Sequence, residues 1–337
     1  MRSLPRRVLV TTVPFGTIDP TPLQLLKAAK IECVINPLGR KLKASEVGDM
    51  IRDFPVIIAG TEIISAEAME SAAGLKAICR VGIGLDGIDL MAARRLGVSL
   101  SYTPNGPSAA VSELTIGHMI SLLRGVAEAD RGLRAGQWQR VTGRRLGCSV
   151  VGVVGVGRIG KRVIRHLQGG FPGVRILAND IKPDAEALAI PGVEWVEKEM
   201  IWRDCDVITL HVPLTAQTYG LVGAKEFAAM RPEAVLINTA RGGIANEVAL
   251  ADALRSGQIA RAAIDVFVEE PYVGELIEFD RALLTCHMGS MTVDCRVRME
   301  VEATEEAIRF LDGVALANPV PEDEYIIDAG AKAHGLA

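Results

Sequence analysis

Aromatic residues make up only 4% of this 337-residue chain, so its interior is not organised around stacked rings. Hydrophobic residues still reach 49%, which leaves Val, Ile, Leu and Ala to fill the core, as in buried parallel strands. No apolar run approaches the roughly 18 residues needed to cross a bilayer. Even Val150–Val156 is interrupted by Gly152 and Gly155, so a membrane is not expected as a partner. Charge of one sign is missing too: 37 basic and 41 acidic residues give a net charge of −4, with no basic stripe for a nucleic-acid backbone. The cysteines, Cys33, Cys79, Cys148, Cys205, Cys286 and Cys295, form no CxxC pair or regular spacing. That pattern argues against a disulfide framework or a zinc knuckle, calls for no metal, and fits reduced thiols in a cytoplasm. Fixed-period repeats and low-complexity segments are also lacking, which argues against solenoid and disordered architectures. Arg2, Arg6 and Arg7 precede Val8–Val13, a stretch broken by threonines and closed by Pro14. It is too short for a signal sequence and reads as a first strand behind a basic leader.

Short β-branched runs alternate with helical stretches along the whole length. Val8–Thr12, Cys33–Ile35, Val56–Ala59, Ala77–Arg80 and Ser99–Tyr102 form one series. Ser149–Gly155, Val174–Asn179, Val193–Val196, Val207–His211, Val235–Thr239, Arg261–Asp265 and Leu283–Cys286 form a second. Each run precedes a turn or helical pattern, the alternation of an α/β fold with parallel sheets. The length suits two domains of about 150 residues each. Between the series, Ala109–Leu133 carries a long apolar helical pattern after Pro107-Ser108 and is expected as a helix linking the domains. A last helix is expected over Val293–Leu311, returning to the first lobe before Asn318-Pro319-Val320-Pro321 ends it. The polar tail beyond Pro321 is expected to be loosely held.

Gly155-Val156-Gly157-Arg158-Ile159-Gly160 follows an apolar strand and opens a helix expected over Lys161–Leu167, the setting a dinucleotide-binding loop requires. Gly155 permits the tight turn, Gly157 the approach of backbone to a pyrophosphate, and Gly160 the contact of helix with strand, while helix N–H groups face the anion. Asp180 ends the next strand, 20 residues beyond Gly160, where a carboxylate can accept from both adenosine ribose hydroxyls. That selects NAD. Lys182 could meet a 2′-phosphate, but Asp180 would repel the same group. A plain turn joining strand to helix is the competing reading, and the agreement of strand, helix and distal Asp outweighs it.

Three further segments each follow an expected strand: Asn238–Gly243, Asp265–Pro271 and Leu284–Gly289. Ligands bind at the carboxyl edge of an open parallel sheet, so Arg241, Glu270 and His287 can converge there. Together with Arg80-Val81-Gly82-Ile83-Gly84-Leu85-Asp86 and Val111-Ser112-Glu113-Leu114, these segments make the chain resemble the D-isomer-specific 2-hydroxyacid dehydrogenases from about Val56 to Arg309. The phosphoglycerate dehydrogenase branch is the most similar. The resemblance implies two Rossmann-like domains with parallel sheets. One would be a flavodoxin-like, substrate-binding domain over 1–104 and 292–326; the other would be an NAD-binding domain over 105–291, with a tail over 327–337. It implies hydride transfer between nicotinamide and C2 of a D-2-hydroxy acid or 2-ketoacid. That chemistry needs an oxyanion anchor and a proton acceptor. Arg241 offers a planar fork for the anchor, against the plainer reading of a surface salt bridge. His287 would be the acid/base, and Glu270 would orient its ring and stabilise imidazolium, so ketoacid reduction should fade as pH rises. Glu269 is one position away, but the family pattern places the functional acid immediately before the proline. His118, His166, His211 and His334 are read as structural. The resemblance also places Arg158 and Ile159 at the pyrophosphate, Val212-Pro213 and Gly289 against the cofactor, and Thr239, Ala240 and Asp265 near nicotinamide. Asp265 has a competing role in capping its turn.

Backbone N–H groups of Val81 and Gly82 would form a nest for the substrate carboxylate, as the resemblance implies. Arg80 would bind a second anionic group such as phosphate, unless it is an ordinary core-edge arginine. The chain departs from the phosphoglycerate branch at Gly60, where that branch often has arginine, at Pro107, and over Met291–Arg296. The expected substrate is 3-phosphoglycerate or another phosphorylated or sugar acid. No room remains for a C-terminal regulatory domain, so serine feedback is not expected. Ala109–Leu133 and Trp138 resemble the family's dimer-forming region, which implies a homodimer. Two rivals stand beside this reading. One is a catalytically silent NAD(H)-sensing protein of the same fold, disfavoured because no partner-binding motif is present. The other is a formate or phosphite dehydrogenase. Formate has no hydroxyl proton to remove, and the family's formate enzymes place glutamine where Glu270 stands.

Overall fold

The computed structural model describes residues 4–326, so Arg2, His334 and the segment 327–337 lie outside it. The chain forms two compact units, Met1–Pro107 with Met291–Ala337, and Ser108–Ser290. In the first, β1 (Arg7–Val10), β2 (Glu32–Ile35), β3 (Val56–Ala59), β4 (Ala77–Arg80) and β5 (Ser99–Ser101) make a parallel sheet in the order β2-β1-β3-β4-β5. Val8, Leu9, Val10 and all of β3 are wholly buried, as continuous apolar runs are when both faces of a sheet are covered. The connections are α1 (Thr21–Ala28), α2 (Ala44–Ile51), α3 (Ala66–Glu70) and α4 (Leu90–Leu96). Sequence chemistry sets their ends. Asp89 accepts from the Ala92 N–H to start α4, and Gly97 at φ 69° stops it.

The second unit begins with α5 (Pro107–Arg124) and α6 (Val126–Arg134). The single helix expected over 109–133 is therefore two. Gly125 adopts φ 60°, and a Cβ there would come within 2.6 Å of Val141 Cγ1, so only glycine fits the break. The sheet follows: β6 (Val150–Val154), β7 (Arg175–Asn179), β8 (Val193–Trp195), β9 (Val207–Leu210), β10 (Val235–Asn238), β11 (Arg261–Ile264) and β12 (Ala282–Leu284). Their order, β12-β11-β10-β9-β6-β7-β8, is parallel throughout and reverses direction between β6 and β9, the switch point at which doubly wound sheets bind ligands. Helices α7 (Arg158–Gly170), α8 (Ala185–Leu188), α9 (Lys198–Asp204), α10 (Ala224–Ala229) and α11 (Glu247–Ser256) complete the unit. Separate apolar cores fill its two faces, one around Ile208, Leu210 and Phe227 and one around Val151, Val153 and Ile164. No helix among the described residues is long and apolar enough to cross a membrane.

The last helix, α12 (Val293–Leu311), packs on β3, β4 and α1 of the first unit. Buried Cys295, Met299, Ala303 and Ala307 recur every fourth residue along it, the spacing of one helical face. Beyond Pro321 the chain is not loose at first. Residues 322–326 are helical, Glu322 pairs with Arg94 at 2.6 Å, and the Arg94 guanidinium lies 3.8 Å from the centre of the Tyr325 ring. One arginine thus ties down a segment whose polarity alone suggests freedom.

Candidate active site

The glycine loop sits at the sheet's switch point, between β6 and α7. Gly155 has φ 90°, and a Cβ on it would lie 2.6 Å from the His211 carbonyl oxygen and 2.9 Å from Val212 Cγ1. At Gly160 a Cβ would come within 2.1 Å of the Gly155 carbonyl oxygen. Gly157 differs: a Cβ there meets nothing within 4 Å. Packing thus explains the outer two glycines, while the middle one faces open space at the first turn of α7, beside exposed Arg158. That is the cradle a pyrophosphate fills. Ile159 packs into the apolar core below. Asp180 closes the other side: its carboxylate accepts from Val156 N–H at 2.7 Å and from Lys182 N–H at 2.8 Å. It is thereby fixed against the glycine loop at the end of β7. The Lys182 side chain is exposed. The residues present fit a dinucleotide.

Arg241, Glu270 and His287 follow β10, β11 and β12, three neighbouring strands. The loops touch directly. A Cβ at Gly242 would lie 2.1 Å from the Phe267 carbonyl, so the Arg241 segment can abut the Glu270 segment only with glycine there. Asn238 shapes the first loop, accepting from Ala240 N–H at 3.1 Å and donating to the Arg241 carbonyl at 2.8 Å. Arg241 Nη1 reaches the Ala240 carbonyl at 2.6 Å. Ala240 is buried in the core, and buried Thr239 turns its hydroxyl towards Thr115. Val212 lies against that core and Pro213 is exposed.

His287 Nδ1 stands 2.9 and 3.0 Å from the two Glu270 carboxylate oxygens, while Glu269 is exposed. With Nδ1 so engaged, the ring offers Nε2 for proton exchange. His287 has φ 49°, unusual for a residue with a side chain. Asp265, 1% exposed, holds that conformation. Its carbonyl accepts from His287 N–H at 2.7 Å, and its carboxylate accepts from Met288 N–H, Gly289 N–H and the Thr285 hydroxyl. The carboxylate therefore shapes the loop that presents His287. A Cβ at Gly289 would lie 3.1 Å from Asp265 Oδ2, a tight contact that glycine avoids.

The other histidines are placed differently. His166 Nε2 is 3.2 Å from Ser112 Oγ, and His211 Nε2 is 2.9 Å from Thr209 Oγ1. His118 is buried, and burial lowers its pKa from the ordinary histidine value.

In the first unit the structure corrects the expectation of a carboxylate nest. The Val81 N–H donates to the Ala59 carbonyl at 2.9 Å, and the Gly82 N–H to Thr103 Oγ1 at 2.8 Å. Both donors are engaged, one by β3 and the other by the segment just after β5. Arg80 is likewise turned inward: Nε donates to the Gly84 carbonyl at 3.1 Å and Nη1 to the Val81 carbonyl. It braces its own loop, which favours the core-edge reading over a phosphate site.

The family model for the NAD-binding domain of D-isomer specific 2-hydroxyacid dehydrogenases matches residues 116–289. The chain belongs to that family. It is 37% identical over 263 residues to a glyoxylate reductase of Thermofilum pendens, covering 75% of this chain and 77% of that one. It is 32% identical over 319 residues to the human D-3-phosphoglycerate dehydrogenase, covering 94% of this chain and 58% of the longer relative. Among solved structures, the TT0316 protein of Thermus thermophilus matches with a TM-score of 0.85 at 32% identity, covering 94% of this chain and 100% of that one. A glyoxylate reductase from Paecilomyes thermophila matches at 0.83 and 27%, covering 96% and 100%. This 2-hydroxyacid dehydrogenase is thus an NAD-dependent oxidoreductase with two parallel-sheet, Rossmann-type units. Sequence reading passed over Thr115 and took His118 only as structural, yet both touch the segments that carry Arg241 and His287. The signal was a threonine and a histidine one helical turn apart inside an apolar pattern.

Proposed function

We propose that this dehydrogenase interconverts a small, unphosphorylated 2-ketoacid of the glyoxylate or hydroxypyruvate class and its reduced hydroxy acid. Arg241 is the oxyanion anchor, His287 the acid/base and Glu270 its partner. The carrying observation is the His287–Glu270 contact at 2.9 Å on adjoining loops at the carboxyl edge of the sheet. NADH held by the Gly155–Gly160 loop and Asp180 would supply the hydride to C2. His287 Nε2–H then delivers the proton to the carbonyl oxygen, while Glu270 stabilises the imidazolium beforehand. Thr239, Ala240, Asp265, Val212, Pro213 and Gly289 are proposed to line the cofactor.

The unphosphorylated class is supported within the first unit. At Gly60, where the phosphoglycerate branch often has arginine, a Cβ would lie 2.8 Å from both Glu62 Oε2 and Thr12 Oγ1. Glu62 is 2% exposed and accepts from Gly60 N–H at 3.0 Å. Nearby Arg296 is bound to Glu300 at 2.6 Å and to the Pro14 carbonyl at 2.6 Å. This corner thus holds a buried carboxylate and an engaged arginine, a poor setting for a dianionic phosphate.

The test follows NADH oxidation with glyoxylate, hydroxypyruvate, phosphohydroxypyruvate, 2-oxoglutarate, sugar ketoacids and, in reverse, formate. Turnover of an unphosphorylated acid is expected, declining as pH rises, and falling by roughly 10²–10⁴-fold in His287→Ala. Preference for phosphohydroxypyruvate would overturn the substrate class. Tight NADH binding without turnover of any acid would overturn the catalytic roles.

The apolar residues of α6 support a homodimer. None of its side chains is buried, and Val126, Leu133 and the nearby Trp138 are 51%, 57% and 80% exposed.

A further inference from the structure

The face of α5 turned towards the second sheet carries Met119, Leu122 and Leu123 into an apolar core. Three buried polar side chains interrupt it: Ser112, Thr115 and His118. Spaced three apart, they lie along one side of the helix. Each meets a different element. Ser112 reaches His166 on α7, Thr115 Oγ1 lies 3.0 Å from Thr239 Oγ1, and His118 Nε2 lies 3.4 Å from Thr285 Oγ1. Thr239 is two residues before Arg241, and Thr285 is two residues before His287.

The protons in these contacts can be assigned. Thr115 donates its hydroxyl to the Val111 carbonyl at 2.8 Å, so the Thr239 hydroxyl is the donor to Thr115. Thr285 donates to Asp265 Oδ1 at 2.6 Å, which leaves its lone pair to accept from His118 Nε2–H. Beyond Thr285, the same Asp265 holds the amides of Met288 and Gly289. A continuous set of hydrogen bonds therefore runs from α5 to the loop that presents His287. A shorter one runs to the segment that presents Arg241.

We propose that Thr115 and His118 are positioning residues, through which α5 fixes the Arg241 and His287 segments at one spacing. The inference rests on the roles assigned above to those two residues. Apolar contacts alone leave a helix free to shift against a sheet by fractions of an ångström, whereas buried polar pairs admit one register. A misplacement of about 1 Å can cost on the order of 10²-fold in rate.

The variants are Thr115→Val, His118→Leu and the two combined, with Thr115→Ser restoring the hydroxyl. Amide exchange over 283–290, NADH affinity by fluorescence, and kcat and KM are measured on each. The double variant is expected to exchange its 287–289 amides at least about tenfold faster and to lose about tenfold or more in kcat, with NADH affinity within about twofold. Thr115→Ser should retain most of the kcat that Thr115→Val loses. Unchanged exchange overturns the proposal, as does faster exchange at undiminished kcat. Equal losses in Thr115→Ser and Thr115→Val overturn it too, because the hydroxyl would then be irrelevant. Exchange needs no substrate. A wild-type protein inactive on every ketoacid would sink the functional reading, and the exchange rates would still decide this one.

Discussion

His211 stands at the end of β9, half-buried as a residue but with its ring Nδ1 shut off from solvent and lacking a hydrogen-bond partner. Burial pushes its pKa down to about 3, whereas an unfolded chain takes up that proton near pH 6.5. Between those limits the unfolded state binds a proton that the folded state refuses. The associated stability is therefore complete above about pH 6.5 and is lost as pH falls towards about 3, a loss on the order of a few kcal/mol. Melting temperature should fall between about pH 7 and pH 4, and His211→Asn should flatten that fall. An unchanged slope in the variant would assign the loss to other groups. The sequence marked His211 only as structural, because its burial depends on a fold that spacing does not describe. The same gap explains the Val81 and Gly82 amides. Their glycine-rich setting was legible, but Ala59 and Thr103, which engage them, come from β3 and from the segment after β5. By contrast, Glu270 was legible over Glu269 because the proline after it fixes the pattern.

At the scale of elements, every strand was readable from β-branched apolar runs, with ends displaced by a residue or two where polar residues close the run. The last helix matched its expected span from Val293 to Leu311. What periodicity could not reveal was the break at Gly125, since a glycine inside an apolar helical pattern is tolerated as often as it ends one. Its left-handed φ and the Val141 side chain 2.6 Å from a hypothetical Cβ make that position intolerant of substitution. Gly125→Ala should destabilise the second unit by about 1–3 kcal/mol, combining backbone strain with overpacking. Melting should drop by about 2–4 °C per kcal/mol, a shift calorimetry resolves. A variant that melts with the wild type would show that α5 and α6 can run through as one helix, as the sequence pattern alone suggests.

At the scale of the whole molecule, each unit has its own sheet and its own core, and the strand orders separate them as two doubly wound domains. The residues that α6 leaves uncovered are a different matter, because they satisfy neither unit. Val126 and Leu133 are seven positions apart on one helical face, and Trp138 follows within a few residues. Leaving a tryptophan 80% exposed forfeits a large burial, which pairing with a second copy would recover. Light scattering should therefore give twice the 36.0 kDa of one chain. Leu133→Glu with Trp138→Glu should return the protein to a single chain, because two carboxylates facing their symmetry mates would be desolvated without partners. Circular dichroism should change little, since neither side chain belongs to a core. A wild-type mass of one chain would overturn the dimer. A variant that stays dimeric would move the interface away from α6.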